Sequence, residues 1–275
     1  MKNISNQKWF SLSIKLDAID NLDFIYGQFY DYMTGLTENH DELIFYFEDN
    51  KKEAVQSIIS NQFINHDFNI QDIEYQNWHT SYEKYFKPIE INKDLMIVPH
   101  WEETKKNIDY IRIIPGMAFG TGTHETTQLI ISNMIDYIKP SYKVLDLGAG
   151  SGILGIAALK FQAQEIIAVE YDEDCKDNFI ENMELNNFHD KYTLLLEDVL
   201  LYQNYDVDLI LANINKNIIL DLLPNIKRYQ KNRPKIILSG LLVDDRRDII
   251  NLINKLDFNL IKEAQQGEWI CIIID

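Results

Sequence analysis

A glycine-rich segment, VLDLGAGSGILG (Val144–Gly155), contains the residues whose types and spacing are best suited to chemistry. The run Gly150–Gly155 fits the G-x-G-x-x-G pattern of dinucleotide sites, and the run Asp146–Gly152 equally fits the D-x-G-x-G-x-G pattern of S-adenosylmethionine (SAM) binders. Both patterns need glycine because the ligand approaches the backbone where a strand ends. A merely tight turn needs fewer glycines, so the segment predicts a cofactor site.

The charge of the segment favours one of these two ligands. A dinucleotide brings a pyrophosphate, which prefers free N–H groups at a helix start. Asp146, at the end of the predicted strand, would repel such a group at close range. The same carboxylate attracts the sulfonium and the α-ammonium of SAM, directly or through water. SAM is therefore the predicted cofactor.

Three polar residues end the strands that follow. Glu170 lies 22 residues after Gly148, which is the spacing of an acid that holds the ribose hydroxyls. Asp198 either accepts from the adenine amino group or caps a turn, and the sequence leaves both open. Asn213 ends the next strand, where its amide either faces the ligand crevice and accepts from a substrate amine, or forms an Asx turn.

A second loop, PGMAFGTGTHETTQL (Pro115–Leu129), contains glycines but no lysine, so it is not expected to hold a phosphate. We expect Phe119, Gly120 and Thr121 to lie over the cofactor, and a threonine to begin the next helix. Histidine is the side chain best suited to act as a general base near neutral pH, so His124 is a candidate for that role. The alternative is that His124 is hydrogen-bonded and fixes the loop against the helix.

The elements that position these residues alternate between strand and helix from about residue 109 onward. Such alternation predicts a parallel, doubly wound sheet, and a short link between the last two strands predicts one antiparallel edge strand. The result is a Rossmann-like domain of the seven-stranded class, for which the pattern gives eight candidate strands. The predicted strands are 111–114, 143–147, 165–171, 192–197, 208–214, 235–240, 258–264 and 268–274, and the predicted helices are 126–139, 153–161, 175–187, 217–229 and 244–256.

The first part of the chain has a different pattern. Strands and helices in the order β-α-β-α-β, with a short extra strand near Thr34–Thr37, predict a smaller α+β domain of the ferredoxin-like type. The predicted strands are Trp9–Leu16, Glu42–Asp49 and Phe68–Gln76, and the predicted helices are Asn21–Met33 and Lys51–Phe63. An aromatic segment, Asn77–Ile91, is typical of a connector helix. We therefore predict a first domain over 1–76, a connector over 77–108 and a cofactor-binding domain over 109–275.

Composition limits the functional classes. The net charge of −17 disfavours DNA as a partner and favours a cationic one. Residues 1–80 are especially acidic, with 13 Asp and Glu against 5 Lys and Arg. Two cysteines are too few for a disulfide framework or a cysteine-built zinc site, and no segment has the pattern of a signal peptide or membrane span. We expect a cytoplasmic protein without a metal site or membrane contact.

Several motifs in a fixed order resemble one family. AFGTGTHETT, VLDLGAGSGILGIAALKFQA, AVEYDED, ANI, LSGLL and GEWICI resemble the ribosomal protein L11 methyltransferases of the PrmA type. The resemblance covers about residues 75–275, and AFGTGTH before the glycine loop is its most specific motif. The first 75 residues match only in size, position and implied βαββαβ pattern.

The resemblance implies a SAM-dependent enzyme that methylates lysine side chains and the N-terminal amine of a basic ribosomal protein, free or bound to the ribosome. It implies that the N-terminal domain recognises the substrate. The family's cofactor positions fall on Thr127, Gly148, Glu170 and Asn213, where Glu170 replaces the usual aspartate.

Three alternatives remain at this point: an N-methyltransferase acting on another protein or small amine, a SAM-binding module without catalysis, and an NAD-dependent oxidoreductase. The candidate catalytic residues are Asn213 and His124, and the candidate cofactor residues are Phe119, Gly120, Thr121, Thr127, Asp146, Gly148, Gly150, Gly152, Glu170, Asp198 and Asn213.

Overall fold

The computed structural model divides the chain into two compact units, Met1–Phe86 and Lys87–Asp275. The residues it describes are 9–15, 25, 28–29, 32–38, 42–63, 68–73, 87–104, 107–115 and 120–275.

The first unit contains a four-stranded sheet with the order β2-β3-β1-β4, in which every neighbouring pair is antiparallel. This is the strand order of the ferredoxin-like fold, as the sequence predicted. Alternate residues of the central strands are buried, which places one face of the sheet on an aromatic core. The predicted helix Asn21–Met33 lies largely outside the described residues. The elements are β1 (Trp9–Lys15), β2 (Gly35–Glu38), β3 (Glu42–Glu48), α1 (Lys52–Gln62) and β4 (Asn69–Ile73).

The second unit begins with a small sheet that the sequence did not predict. Its strands β5 (Ile89–Asn92), β6 (Leu95–Pro99) and β7 (Asp109–Ile113) pair in chain order, the first two antiparallel and the last two parallel. The predicted helix over Asn77–Ile91 is wrong at its end, where β5 begins; residues 74–86 lie outside the described residues. The strand predicted at 111–114 exists, but in this sheet and not in the large one.

A seven-stranded sheet forms the centre of the second unit, with the order β10-β9-β8-β11-β12-β14-β13. Strands β8 to β12 are parallel to one another, and β14 is antiparallel to both β12 and β13. The predicted fold class is thereby confirmed. The strands are β8 (Lys143–Leu147), β9 (Glu165–Glu170), β10 (Tyr192–Leu196), β11 (Leu209–Asn213), β12 (Lys235–Leu242), β13 (Leu260–Gln266) and β14 (Trp269–Ile274).

Helices cover both faces of this sheet and create two apolar clusters. One cluster includes buried side chains of α2 (Glu125–Met134), α3 (Ile153–Lys160) and α4 (Cys175–Leu185), and the other includes those of α5 (Lys216–Tyr229) and α6 (Arg246–Lys255). Every residue of Ile153–Leu159 is buried, so α3 is an internal helix. No described helix is both long enough and apolar enough to cross a bilayer.

Strand order also determines where the candidate site lies. In sequence, β8 is the first strand of the sheet, and it lies between β9 and β11. The chain continues from β8 through β9 to β10 on one side, and then passes to β11 on the other side. Ligands of open parallel sheets bind at such a switch point, outside the carboxyl ends of the strands. The polar residues that end β9 and β11, Glu170 and Asn213, are therefore at the same edge as the glycine loop after β8.

Candidate functional site

The glycine loop, residues Gly148–Gly152, is shaped by its own backbone. The N–H groups of Gly148 and Ala149 both donate to the carbonyl of Val169, at 2.9 and 3.2 Å, and that of Gly152 donates to the carbonyl of Ala149 at 2.8 Å. Gly148, Gly150 and Gly152 have φ values of 74°, 51° and 80°. Residues with a Cβ rarely adopt these values, which is the local reason for the glycine pattern.

Close neighbours add a second reason for glycine at two of these positions. A Cβ on Gly148 would lie 2.5 Å from Cγ2 of Ile214, and a Cβ on Gly152 would lie 2.8 Å from the ring of Phe179. The helix after the loop also approaches the sheet closely, since a Cβ on Gly155 would lie 3.1 Å from Ile166.

Glu170, the acid predicted to hold a ribose, supports the glycine loop directly. Its Oε2 accepts from the N–H of Gly150 at 2.8 Å, and its Oε1 accepts from the N–H of Asp172 at 2.9 Å. Each carboxylate oxygen has lone pairs for a further donor. A diol can therefore bind to Glu170 without breaking either bond.

Asp146, predicted to lie beside the cofactor, is fully buried beneath the loop. Its Oδ2 accepts from the N–H of Gly155 at 3.2 Å, while its Oδ1 has no hydrogen-bond partner among the described residues. The pKa of this carboxyl is raised to about 7, chiefly by burial; the bond from Gly155 opposes the rise and the nearby charge of Glu170 adds to it. A fully buried carboxyl influences a ligand in the cleft through its charge and not by contact.

Asp198 follows β10 and begins a turn. Its Oδ1 accepts from the N–H of Leu200 at 2.9 Å, and its carbonyl accepts from the N–H of Leu201, also at 2.9 Å. This is the capping arrangement that the sequence left open beside an adenine contact. The second carboxylate oxygen of Asp198 is not part of this capping bond, and the adenine contact stays a prediction.

Asn213 presents an unusual buried acceptor. Its Nδ2 donates to Oγ1 of Thr127 at 3.2 Å, and its Oδ1 is buried without a hydrogen-bond partner among the described residues. Buried amide oxygens are usually bonded, so an unpaired one at a strand end indicates a place where a ligand donor belongs. Thr127, itself fully buried, orients the amide from the start of α2.

The segment after Asn213 is enclosed by two glycines. Ile214 lies against Gly148 on one side and against Gly240 on the other, where an added Cβ would lie 2.3 Å from the carbonyl oxygen of Ile214. Gly240 has a φ of 82° and coincides with a register shift between β12 and β14. The irregularity makes room for the backbone that carries Asn213, so this side chain is held on a rigid segment.

The loop from Gly120 to His124 is fixed by side chains. The hydroxyl of Ser151 donates to the carbonyl of Gly120 at 2.6 Å, and the amide of Gln128 donates to the carbonyls of Gly122 and Thr123, both at 3.1 Å. The predicted cofactor residues Gly120 and Thr121 thus adjoin the glycine loop through Ser151. Phe119, predicted to cover the cofactor, lies outside the described residues.

His124 is the N-cap of α2 and not an independent side chain. Its Nδ1 accepts from the N–H of Thr126 at 3.3 Å and lies 2.9 Å from the hydroxyl of that residue, while its ring packs edge-on against Trp269 at 4.7 Å. An Nδ1 that accepts places the proton of the neutral ring on Nε2. This geometry supports the capping interpretation of His124 over general-base action.

The charge around the two loops suits a cationic ligand. Neither Asp146–Gly152 nor Pro115–Leu129 contains a lysine or arginine, and carboxyl groups lie under and beside the glycine loop. Among the described residues, no group of three potential metal ligands comes together. The arrangement can therefore bind a cofactor that carries hydroxyls and positive charge, and can offer an amide oxygen to an incoming N–H donor.

Three residues that the sequence analysis missed connect these parts. Ser151 and Gln128 hold the second loop, and Asn182 holds the glycine loop through a bond to the carbonyl of Ser151 at 2.9 Å. Asn182 had a detectable signal. It is the middle of three asparagines spaced four residues apart, which share one face of a helix.

Comparison with known proteins gives a consistent result. The model of the family described as ribosomal protein L11 methyltransferase (PrmA) matches residues 13–275. The ribosomal protein L11 methyltransferase of Ruminiclostridium cellulolyticum is 36% identical over 207 residues, covering 74% of this chain and 65% of that protein. The protein of the same name from Listeria monocytogenes is 37% identical over 215 residues, covering 76% and 68%.

A solved structure agrees with these relatives. The crystal structure of ribosomal protein L11 methylase from Lactobacillus delbrueckii subsp. bulgaricus has a TM-score of 0.65 and 31% identity, and the match covers 69% of this chain and 98% of that one. The resemblance predicted from the motifs is confirmed: the chain belongs to the ribosomal protein L11 methyltransferase (PrmA) family.

Proposed function

We propose that this protein is a SAM-dependent methyltransferase that transfers methyl groups to lysine side chains and the N-terminal amine of ribosomal protein L11. The buried Oδ1 of Asn213, which has no partner in the part of the chain that the structure describes, carries the proposal, because it lies at the carboxyl end of β11 beside the glycine loop. The family membership and the names of the relatives support the substrate.

The residues present fit SAM better than a dinucleotide. Glu170 retains lone pairs for the ribose hydroxyls, and Gly148 and its neighbours allow close approach to the backbone. The absence of basic residues from both loops leaves a pyrophosphate without a cationic partner. When bound, SAM supplies a methyl group that is already activated by its positively charged sulfur.

The protein must align a neutral amine, and Asn213 is suited to that task. A lysine amine has an ordinary pKa of about 10.4, and apolar surroundings lower the pKa of an amine. Oδ1 of Asn213 accepts an N–H of the amine and so directs its lone pair toward the methyl group. Alignment of this kind contributes rate without a dedicated base. Thr127 fixes the amide for this purpose through its hydroxyl.

Substrate recognition is assigned to the N-terminal unit, whose acidic composition suits a basic protein. The predicted division into a recognition domain (1–76), a connector (77–108) and a catalytic domain (109–275) remains part of the proposal. Ribosomal proteins meet their modifying enzymes in the cytoplasm, which is the proposed location. Neither DNA nor a membrane is a proposed partner.

The decisive experiment measures methyl transfer and cofactor binding together. Labelled SAM with purified L11, free or within the large ribosomal subunit, should give products whose masses increase in steps of one methyl group, and peptide mapping should place them on amines. Binding of SAM should be measurable in the micromolar range, and NAD should not bind. Binding of NAD without SAM would establish the oxidoreductase alternative, and methylation of small amines alone would contradict the protein substrate.

Two variants test the division of roles. Asn213→Ala should reduce the rate of methyl transfer about a hundredfold, because the amine loses its buried acceptor. Removal of Met1–Phe86 should abolish methylation of L11 while SAM binding by the second unit remains. Methylation of L11 at the normal rate by the shortened protein would contradict the recognition role.

A further inference from the structure

Two asparagines of α4, Asn178 and Asn182, and the asparagine that caps its C-terminus, Asn186, bond to the edge of β7 that does not pair with β6 and to the residue after β7. Asn186 accepts from the N–H of Arg112 at 2.9 Å and donates to its carbonyl at 2.7 Å. Asn182 accepts from the N–H of Ile114 at 2.7 Å, and Asn178 donates to the carbonyl of Ile114 at 3.0 Å. These side chains thus form an asparagine ladder in the place that a fourth strand of the small sheet would take beside β7.

Asn182 differs from the other two because it reaches a second element. While its Oδ1 accepts from Ile114, its Nδ2 donates to the carbonyl of Ser151 in the glycine loop at 2.9 Å. The residue is fully buried, so water does not compete for either bond. One amide therefore connects the start of the loop after β7 to the cofactor loop.

Ser151 carries a further connection in the same direction. Its hydroxyl donates to the carbonyl of Gly120 at 2.6 Å, at the other end of the segment that begins after Ile114. Ser151 is thus linked to the chain after β7 at two points. Asn182 connects the carbonyl of Ser151 to Ile114, and the hydroxyl of Ser151 bonds to Gly120. The spacing of the two loops depends on these bonds.

We propose that Asn182 is a positioning residue that fixes the spacing between the glycine loop and the Gly120–His124 loop. The inference rests on the proposed function, because both loops must meet the same cofactor. Asn182 acts through Ser151 and does not touch the reacting atoms. An amide is required because it accepts from one loop and donates to the other, which neither a carboxylate nor a hydrocarbon side chain does.

Asn186 provides a matched control. It lies one turn further along α4, is also buried, and makes the same kind of bonds to β7, but it has no bond to the glycine loop. If the asparagines only attach α4 to β7, Asn182→Ala and Asn186→Ala should behave alike. If Asn182 positions the loops, only its replacement should change cofactor binding and catalysis.

The experiment compares both variants with the unsubstituted protein by calorimetric SAM binding, steady-state kinetics and thermal unfolding. Both variants should lose similar thermal stability. Asn182→Ala should weaken SAM binding and lower kcat about tenfold each, and Asn186→Ala should change either quantity by less than about twofold. Equal changes in the two variants would overturn the inference. Absence of SAM binding by the unsubstituted protein would overturn the proposed function and the inference with it.

A second variant covers the case in which Asn182→Ala does not fold. Ser151→Ala removes only the hydroxyl that holds Gly120, and it should weaken SAM binding in the same direction. Where both single variants fold, the double variant should be less affected than the product of the two single effects, because both bonds act on one spacing. Strictly multiplicative effects, or normal binding by Ser151→Ala, would overturn the inference.

Discussion

The glycine loop Gly148–Gly152 and the loop Gly120–His124 both contain glycines with positive φ, but different groups determine their shapes. Backbone N–H groups fold the first loop against Val169. Side chains of Ser151 and Gln128 bind the carbonyls of the second. Glu170 and Asn182 also bond to the backbone of the first loop, but its conformation depends most on its glycines, whereas the second loop depends most on the side chains that hold it. The predictions below test this difference.

The largest effect is expected for Gly148→Ala in the backbone-shaped loop. The new Cβ would lie 2.5 Å from Ile214 at a φ of 74°, so strain and overlap together should cost about 3 kcal/mol in the free energy of unfolding. SAM binding should fall more than about a hundredfold. Urea unfolding and calorimetry would measure both.

Gly267→Ala is the control, because Gly267 has a φ of 58° but no atom within 4 Å of the added Cβ. It should cost only about 1 kcal/mol and leave SAM binding unchanged. Equal losses in the two variants would show that packing against Ile214 is unimportant.

Asp146→Asn should change how stability depends on pH. Because the pKa of this buried carboxyl is raised from 3.8 to about 7, the folded protein binds its proton more tightly than the unfolded chain does. Proton binding by Asp146 contributes fully to the free energy of unfolding below about pH 4. Between about pH 4 and pH 7 this contribution decreases by up to about 1.4 kcal/mol per pH unit, and above about pH 7 it is lost.

The amide variant cannot titrate, so the difference between its unfolding free energy and that of the unsubstituted protein isolates Asp146. The variant should gain stability relative to the unsubstituted protein between pH 5 and about pH 7. A difference that does not vary across this range would mean that the carboxyl titrates normally.

Thr127→Val, at the start of the helix after the second loop, should have an intermediate effect on the rate of methyl transfer. Valine keeps the shape of threonine but cannot accept from Asn213, so the amide should lose its orientation. We expect kcat for methyl transfer to fall about tenfold. Thr127→Ser retains the hydroxyl and should restore most of the rate. Failure of serine to do so would assign the effect to packing.

The smallest effect is expected at His124. Replacement by alanine removes the N-cap acceptor of α2 and should cost about 1 kcal/mol, whereas asparagine, a good N-cap residue, should restore the stability. The rate of methyl transfer by His124→Asn should have the same pH profile as the unsubstituted enzyme. Loss of a limb of that profile near the pKa of histidine would instead identify His124 as a general base.

The sequence predicted the seven-stranded sheet well because most of its strands are short apolar runs, and β8, β9, β11 and β12 are each followed by a helical pattern. It did not predict β5 and β6, since Ile89–Asn92 continues an aromatic-rich segment whose pattern also suits a helix. It placed the strand at 111–114 in the wrong sheet, because an apolar run contains no information about which strands it joins.

For the candidate site, the sequence predicted which residues lie at the carboxyl ends of the strands. The motifs identified Glu170 and Asn213 as neighbours because parallel strands end at one edge. They did not reveal that Asp146 faces inward beneath the loop, since position in a strand does not specify the partner of a side chain. The asparagines of α4 were visible as a spacing of four, but only the fold shows that β7 lies opposite them.

The asparagine ladder also bears on the behaviour of the protein at high concentration. An uncovered edge strand presents N–H and C=O groups to which another chain can add a strand, and this is a common route to aggregation. On β7 and the residue after it, the outward groups of Arg112 and Ile114 are already bonded to Asn186, Asn182 and Asn178. Intermolecular strand addition at this edge is therefore blocked by side chains, without any additional strand.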